Sequence, residues 1–247
     1  MPPKVRLDVL LVERGLAPSR ERARALILAG QVVVNGAPET KAGTGVAADA
    51  EVVVAVPDHP YVSRGGVKLA HALDHFHIDP AGKLALDIGA STGGFTDVLL
   101  QRGARQVVAL DVGHGQLDWR LRTDPRVVVR EHVNARHLAA DDLPGPFDLV
   151  TIDVSFISLR QVLPVVPPRL APGGDVIALV KPQFEAGRED VGRGGLVLDP
   201  AIHTRVLGEV RDAARALGLV PMGDTPSPIT GATGNQEFLL HLTGGRP

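Results

Sequence analysis

Residues 84–95 read Leu-Ala-Leu-Asp-Ile-Gly-Ala-Ser-Thr-Gly-Gly-Phe, so a short apolar run leads directly into a glycine-rich turn. This pattern predicts a buried strand over 84–88, a tight turn and then a helix. Gly89, Gly93 and Gly94 carry no Cβ, which lets the backbone approach a ligand closely. The free N–H groups at the start of the helix would point at the same place. Strand, glycine turn and helix together form the first unit of a nucleotide-type α/β sheet.

The spacing of the glycines distinguishes between two kinds of nucleotide ligand. A dinucleotide site reads G-x-G-x-x-G, whereas this stretch reads D-x-G-x-S-x-G-G, with Asp87 where a pyrophosphate would be repelled. Asp111 ends the next apolar run and could accept both hydroxyls of a ribose. A cationic adenosine ligand, S-adenosylmethionine, therefore fits the pattern better than NAD. An ordinary strand-to-helix turn capped by Ser91 or Thr92 is the alternative interpretation.

Apolar segments of strand and helix type alternate along the rest of the chain. Strands are predicted over 84–88, 106–110, 126–130, 147–152, 175–180, 219–224 and 236–242, and helices over 94–102, 115–121, 159–170 and 201–217. Such alternation indicates a mainly parallel, doubly wound sheet, in which ligands bind at the carboxyl ends of the strands. Gly89, Asp111, Asn134 and Asp153 are therefore expected at one edge. The glycine-rich stretch 182–200 is either a loose loop or a flap over that edge.

The first 60 residues have a different organisation. Apolar spacing predicts a helix over 6–17, and Ser19 is placed to cap a second helix over 20–29. Strands follow over 32–34 and 52–54, with Asn35-Gly36 as a hairpin turn. Residues 55–60 are interrupted by prolines and predict a linker. We therefore expect one domain over 1–59 and a second over 60–247.

The N-terminal segment contains an ordered phrase that is specific. R-L-D-x-x-L is followed by a Ser-Arg helix start and by A-G-x-V-x-V-N-G. This phrase resembles the αL RNA-binding motif of the small-subunit ribosomal protein four type, over about residues 6–54. The resemblance implies two helices and a hairpin that bind RNA through its shape and its phosphates. The residues expected to contact RNA are Arg6, Arg20, Arg24 and Lys41, and, on a loop of the second domain, Arg64; a solvated charged face is the alternative.

Two predicted buried strands end in a charged residue. Asp153 follows 147–152, and Lys181 follows 175–180 and precedes a proline. Together with Lys68 and Glu237, they follow the Lys-Asp-Lys-Glu order of FtsJ-like ribose 2′-O-methyltransferases, which they resemble. With the αL motif in front, the chain resembles the TlyA family from about residue 6 to residue 241. One departure is Ser-Thr at 91–92, where FtsJ-like proteins usually have Ala-Pro, at the methionine end of the pocket.

The resemblance implies both a fold and a reaction. The fold is an α/β, Rossmann-like S-adenosylmethionine-dependent methyltransferase sheet, preceded by a small α+β RNA-binding domain. The reaction is methylation of a ribose 2′-oxygen in ribosomal RNA, on cytidine of the small or large subunit or both. Lys181 would orient the hydroxyl and accept or relay its proton, with Lys68, Asp153 and Glu237 completing the catalytic set. The residues expected to bind the cofactor are Asp87, Gly89, Ser91, Gly93, Phe95, Asp111 and Asn134.

Composition narrows the possibilities further. The chain has no cysteine, which excludes disulfides, thiolate zinc sites and a cysteine nucleophile. Its net charge of −2 confines any affinity for nucleic acid to local patches. No apolar run has the length of a bilayer span, and we expect a cytoplasmic monomer without metal that binds ribosomal RNA or subunits and no membrane. Two alternatives remain open: a membrane-active haemolysin, a label the TlyA family also carries, and a catalytically silent ribosome-binding factor.

Overall fold

The structure, a computed structural model, describes residues 4–17, 19–54, 59–138 and 143–245. The chain divides into two compact units, Met1–Pro60 and Tyr61–Pro247. Most of the predicted linker, at 55–58, lies outside the described residues.

The first unit is a small α+β fold. Its elements are β1 (Lys4–Arg6), α1 (Leu7–Glu13), α2 (Arg20–Leu28), β2 (Val32–Val34), β3 (Ala37–Glu39), β4 (Gly45–Ala47) and β5 (Val52–Val54). Strands β3, β2 and β5 form one antiparallel sheet, and β1 pairs with β4. Asn35 and Gly36 have φ of +50° and +80°, as a type I′ hairpin turn requires. Ser19 caps α2 by accepting a hydrogen bond from the Arg22 N–H, as predicted.

The second unit contains the large sheet and its covering helices. Its elements are α3 (Gly65–His75), β6 (Leu84–Ile88), α4 (Gly94–Gln101), β7 (Gln106–Leu110), α5 (Trp119–Arg122), β8 (Val127–Arg130), β9 (Phe147–Ile152), β10 (Leu170–Val180), α6 (Pro182–Glu185), α7 (Pro200–Ala216), β11 (Leu219–Pro226) and β12 (Phe238–Gly244). The predicted α/β class is confirmed.

The seven strands lie in the order β11-β12-β10-β9-β6-β7-β8. All neighbouring pairs from β10 to β8 are parallel, whereas β12 runs antiparallel to both of its neighbours. The chain winds outward from β6 to β8 and then returns to β9 on the other side of β6. The order of the strands therefore reverses between β6 and β9, which is where open α/β sheets form their ligand crevice.

Both faces of the sheet are buried, because alternate residues of each strand point to opposite sides. Leu86 and Ile88 of β6 belong to one apolar cluster, which includes Val206 of α7. Ala85 belongs to the other, together with Leu69 of α3 and Val98 of α4. The unit therefore has three layers, with helices on both sides of the sheet.

Several sequence-based boundaries differ from the structure. No α-helix forms over 159–170; three short 3₁₀ turns replace it, because Pro164, Pro167 and Pro168 lack the N–H groups that an α-helix needs. Helix α5 begins at 119 rather than 115, where the side chain of Asp118 caps it. The stretch 182–200 is structured in part, since it contains α6 and two 3₁₀ turns. Among the helices in the described ranges, none combines the length and apolar character needed to cross a bilayer.

Candidate active site at the carboxyl edge of the sheet

The strand order brings the predicted site residues to one edge. Along β12, β10, β9, β6 and β7, the residues next to the strand ends are, in order, Glu237, Lys181, Asp153, Gly89 and Asp111. Val180 pairs with Phe238, so Lys181 and Glu237 are the next residues at the same end of adjacent strands. The Asp153 N–H donates to the carbonyl of Ile88 at 2.9 Å, which places the ends of β9 and β6 side by side.

The four predicted catalytic side chains form two ion pairs. Lys181 Nζ lies 2.6 Å from Asp153 Oδ1 and donates to Ser155 Oγ at 2.9 Å. Lys68 Nζ pairs with Glu237 Oε2, and both of these side chains are buried. A lysine ammonium has three donor positions, so Lys181 retains one beyond these two partners. Buried ion pairs add little net stability, because desolvation offsets their attraction. A buried pair, Lys68–Glu237, and a partly buried pair, Lys181–Asp153, at one edge therefore favour a chemical role.

Close packing between helices α3 and α4 positions Lys68 at this edge. Helix α3 begins at Gly65, and α4 begins at Gly94. A Cβ on Gly94 would lie 2.8 Å from the Gly66 backbone nitrogen, and one on Gly66 would overlap the Tyr61 ring. Only glycine permits this approach, because any larger residue would push the two helix starts apart. Gly66, two residues before Lys68, and Gly94 are therefore required by the packing.

The glycine turn after β6 is also required by the protein's own packing. Gly89 has φ of +84°, and a Cβ there would overlap the Asp153 carbonyl oxygen and lie 2.9 Å from its carbon. Gly93 has φ of +96°, and a Cβ there would lie 2.8 Å from Leu117 Cδ1. Both glycines allow backbone and leucine side chains to close in around the turn, which sets the shape of the crevice.

We expect Gly89→Ala to destabilise the second unit by about 2 to 5 kcal/mol, because it combines a left-handed backbone with an overlap at Asp153. Gly82→Ala is the matched control. Gly82 has φ of +71° but no atom near the Cβ position, so only the backbone cost of about 1 to 2 kcal/mol applies. Urea unfolding followed by circular dichroism compares the two variants, and equal losses would contradict the packing argument.

Asp111 is oriented by two backbone groups. Its Oδ2 accepts from the Ser91 N–H at 2.8 Å, and its Oδ1 accepts from the Gly113 N–H at 2.6 Å. Each oxygen keeps a second lone pair, so the carboxylate can still accept two ribose hydroxyls. Val112, directly after it, is 70% exposed and offers an apolar surface beside the same turn.

Ser91 and Asn134 border the Asp111 loop. Ser91 has φ of +48°, and its hydroxyl donates to Gln116 Oε1 at 3.2 Å. Asn134 is exposed and accepts from the Arg136 N–H at 3.1 Å, which makes it a cap of the following 3₁₀ turn. The Val133 N–H donates to the Asp111 carbonyl at 3.1 Å, so Asn134 nevertheless lies next to the predicted ribose-binding residue.

Asp87 and Phe95, both expected to bind the cofactor, are buried side chains in the structure. Asp87 has no exposed surface, and its two oxygens accept from Thr96 Oγ1 at 2.7 Å and Thr151 Oγ1 at 2.9 Å. Burial raises the pKa of Asp87 to about 6, against the opposing effect of these hydrogen bonds. Phe95 is 3% exposed and belongs to the apolar core. Both residues therefore pack inside the protein next to the glycine turn.

An exposed aromatic residue beside the lysine was not predicted. Phe156 is 91% exposed and has φ of +63°, a conformation that a bulky residue rarely adopts. Its ring centroid lies 5.2 Å from that of Phe184, which follows Lys181 closely in the chain. A signal for this residue was present in the sequence. Phenylalanine is rare in this chain, with six residues, and Phe156 lies in the loop just after Asp153, which directly follows a strand.

Glu185 holds the loop that carries Ser155 and Phe156. Its buried carboxylate accepts from the Leu159 N–H at 2.6 Å and from Ser158 Oγ at 2.5 Å. Burial raises the pKa of Glu185 above its ordinary value. The segments that follow β9 and β10 are therefore tied together on either side of Lys181.

The residues expected to contact RNA are exposed in part. In the first unit, Arg6, Arg20 and Arg24 all bond to the buried carboxylate of Asp8, while Lys41 is exposed at a turn. In the second unit, Arg64 is exposed immediately before α3. These placements are compatible with phosphate contacts.

Histidines near α3 do not assemble a metal site. His71 Nε2 lies 3.3 Å from Thr225 Oγ1, and its ring stacks on that of His75. Within the part of the chain that the structure describes, no group of three or more His, Cys, Asp or Glu side chains could hold a metal ion.

Comparison with known proteins gives matches over both units. The profile of the FtsJ-like methyltransferase family matches residues 61–243, and that of the S4 domain matches residues 5–52. The chain is 49% identical over 240 residues to a Mycobacterium tuberculosis protein named 16S/23S rRNA (cytidine-2′-O)-methyltransferase TlyA, covering 97% of this chain and 90% of that one.

Two solved structures are similar as well. One, from Streptococcus thermophilus and carrying a hemolysin name, is 45% identical with a TM-score of 0.78, and covers 100% of this chain and 91% of that chain. The other is an S-adenosylmethionine-dependent methyltransferase from Mesorhizobium loti, 16% identical with a TM-score of 0.54, covering 70% of this chain and 96% of that chain. At that identity, the second likeness shows the fold alone.

Proposed function

Because the chain belongs to the TlyA family of FtsJ-like methyltransferases and carries an S4 domain, we propose that it methylates a ribose 2′-hydroxyl of ribosomal RNA with S-adenosylmethionine. The family resemblance read from the sequence is confirmed. By analogy with the Mycobacterium tuberculosis relative, the target nucleotide is a cytidine of the small or large subunit. The enzyme would work in the cytoplasm as a monomer.

One observation carries this proposal: cofactor-type and catalytic-type residues share one edge of the sheet. Gly89 and Asp111 directly follow β6 and β7, and Asp153 and Lys181 directly follow β9 and β10. The two sets meet where the Gly89 turn packs against the Asp153 carbonyl. A methyl donor held on one side would therefore face an acceptor held on the other.

The residues on the cofactor side fit S-adenosylmethionine. Asp111 keeps acceptor capacity for two ribose hydroxyls, and Val112 offers an apolar surface for an adenine. Asn134, beside Asp111, would contact the base, and Ser91 would lie near the methionine end. When bound, the cofactor supplies an electrophilic methyl group on a sulfonium.

The catalytic side would hold the acceptor oxygen. The remaining donor position of Lys181 would bind the ribose 2′-oxygen, while Asp153 and Ser155 fix the direction of Nζ. Lys181 would first pass a proton to Asp153, and the neutral amine, turned so that its lone pair faces the ribose, would then take up the hydroxyl proton, so that the charge of the lysine is the same before and after transfer. The Lys68–Glu237 pair would hold the neighbouring end of β12 against α3 and orient the same ribose.

Phe156 supports an RNA substrate in particular. An exposed aromatic ring beside the lysine can stack on a base, and such stacking is worth about 1–3 kcal/mol per base. The positive φ of Phe156 would hold the ring outward at a cost to folding stability, which is typical of functional positions.

We expect Phe156→Gly to stabilise the fold slightly and to reduce methylation of RNA by about 10- to 100-fold in kcat/KM. Glycine adopts a φ of +63° without strain, and the lost ring is almost fully exposed, so folding should not suffer. Phe156→Tyr, which keeps the ring, is the control and should retain most activity. Thermal unfolding and initial rates measure the two effects, and full activity of Phe156→Gly would rule out stacking.

The decisive experiment uses methyl-labelled S-adenosylmethionine with purified small subunits, large subunits and naked RNA. The labelled RNA is digested to nucleosides, and the position of the label is determined. We expect label on a ribose 2′-oxygen. Label on a base would overturn the ribose 2′-oxygen as the acceptor. No label on any RNA, despite measured cofactor binding, would overturn the proposed activity and favour a ribosome-binding factor.

A further inference from the structure

A buried acid lies beneath the arginine cluster of the first unit. Asp8, in the first turn of α1, is 0% exposed. Its Oδ1 accepts from Arg6 Nε at 3.0 Å, and its Oδ2 accepts from Arg20 Nη2 at 3.1 Å and Arg24 Nε at 3.2 Å. The three arginine side chains are each about half exposed, at 50%, 53% and 54%. One carboxylate therefore holds three guanidinium groups at the surface.

The three arginines come from two separate elements. Arg6 ends β1, whereas Arg20 and Arg24 lie one turn apart on α2. Three cations gathered at one place repel each other, and a shared anion removes that repulsion and fixes their directions. The hydrogen bonds and charges of these arginines, Arg6 foremost, hold the pKa of Asp8 well below its usual range. The carboxylate is therefore ionised throughout the neutral pH range.

The cluster keeps a positive charge and free donors. Three guanidinium groups and one carboxylate sum to +2. Asp8 accepts two of the five N–H groups of Arg6, through Nε and Nη2, and one each from Arg20 and Arg24, so every guanidinium keeps donors that Asp8 does not use. The turn that carries Lys41 borders the cluster, because the Asp8 N–H donates to the Ala42 carbonyl at 3.2 Å. Planar forks held in fixed directions match the oxygens of phosphate groups.

We propose that Asp8 is a positioning residue that presets Arg6, Arg20 and Arg24 as one binding site for RNA phosphates. The inference rests on the proposed action on RNA and deepens it. It has an unusual consequence: an acid in the middle of a phosphate-binding surface strengthens RNA binding. Net charge alone predicts the opposite effect on RNA affinity: removal of an acid makes the surface more positive and should tighten binding.

Asp8→Asn separates the two descriptions. The variant gains one positive unit of net charge, yet its amide presents N–H donors to the arginines and releases them. We expect RNA affinity to fall about tenfold and its dependence on log salt to become shallower, because fewer phosphates are contacted at once. KM for RNA should rise while kcat is retained, since the proposed catalytic residues lie in the other unit.

Glu21→Gln is the matched control. Glu21 lies on α2 in the same unit, is exposed, and its substitution changes the net charge by the same amount. The RNA affinity of each full-length protein is measured from the fluorescence anisotropy of a fluorescein-labelled RNA hairpin, over a series of KCl concentrations. We expect Glu21→Gln to bind as tightly as wild type or more tightly. If Asp8→Asn also does so, the positioning role is overturned; if wild type itself fails to bind RNA, the proposed function fails instead.

Arg24→Lys tests the same idea without disturbing a buried group. Its charge is unchanged and its side chain is half exposed, so folding should be preserved, as circular dichroism would verify. A lysine cannot share the Asp8 carboxylate and present a fork at the same time. We expect several-fold weaker binding of the hairpin. Unchanged affinity of Arg24→Lys would overturn the proposal even if Asp8→Asn does not fold.

Discussion

Lys181→Ala should reduce methyl transfer by about 10³-fold, at the middle of the range for a lost proton-transfer residue, while cofactor affinity stays near that of wild type. The reason is geometric: Lys181 Nζ is bound to Asp153 and Ser155 at the acceptor side of the edge, whereas the predicted cofactor residues follow β6 and β7. Initial rates and isothermal titration with S-adenosylmethionine measure the two properties separately.

Asp111→Asn provides the reciprocal control. It removes one acceptor oxygen from the proposed ribose site, so we expect cofactor affinity to fall at least about tenfold. If Lys181→Ala and Asp111→Asn lose the same property, the division of the edge into donor and acceptor sides is wrong.

Lys181→Arg decides what the lysine does. Arginine keeps the positive charge beside Asp153 but does not give up its proton in proteins. If Lys181 relays the proton of the hydroxyl, the arginine variant should be as inactive as the alanine variant. Substantial activity of Lys181→Arg would limit the role of the lysine to holding the ribose oxygen.

Breaking the Lys68–Glu237 pair should have the second large effect, on both stability and activity. Lys68→Met leaves Glu237 buried without its cation, and Glu237→Gln leaves Lys68 without its anion. Loss of one partner of a buried pair costs about 3–5 kcal/mol, so each single variant should be strongly destabilised.

The double variant Lys68→Met/Glu237→Gln should be more stable than the sum of the two single losses predicts, because no charge is left unpaired. It should nevertheless stay inactive, since neither side chain remains to orient the ribose. Urea unfolding of wild type, the two single variants and the double variant gives the free energies of unfolding for a double-mutant cycle. Additive losses of stability would show that the two side chains are not coupled, and a fully active double variant would remove the pair from the catalytic set.

Local pattern predicted much of the fold. Strands β6, β7 and β9 lie where their apolar runs placed them, and the Ser19 cap and the Asn35-Gly36 turn formed as expected. These features depend on neighbouring residues alone, through backbone preference and alternation of apolar side chains. The same logic failed over 159–170, where the apolar spacing was helical but three prolines removed the required N–H groups.

The sequence by itself therefore determined the fold class, the family and the residue types at the site, because motifs and apolar periods are local properties. Only the tertiary structure decided which residues meet. Strand order paired Lys181 with Asp153, and helix packing paired Lys68 with Glu237. Packing buried the carboxylate of Asp87 and left the ring of Phe156 exposed. It also placed Asp8 beneath three arginines. Apart from the contact of Arg6 with Asp8, these outcomes depend on contacts between residues separated in the chain, and no local pattern encodes such contacts.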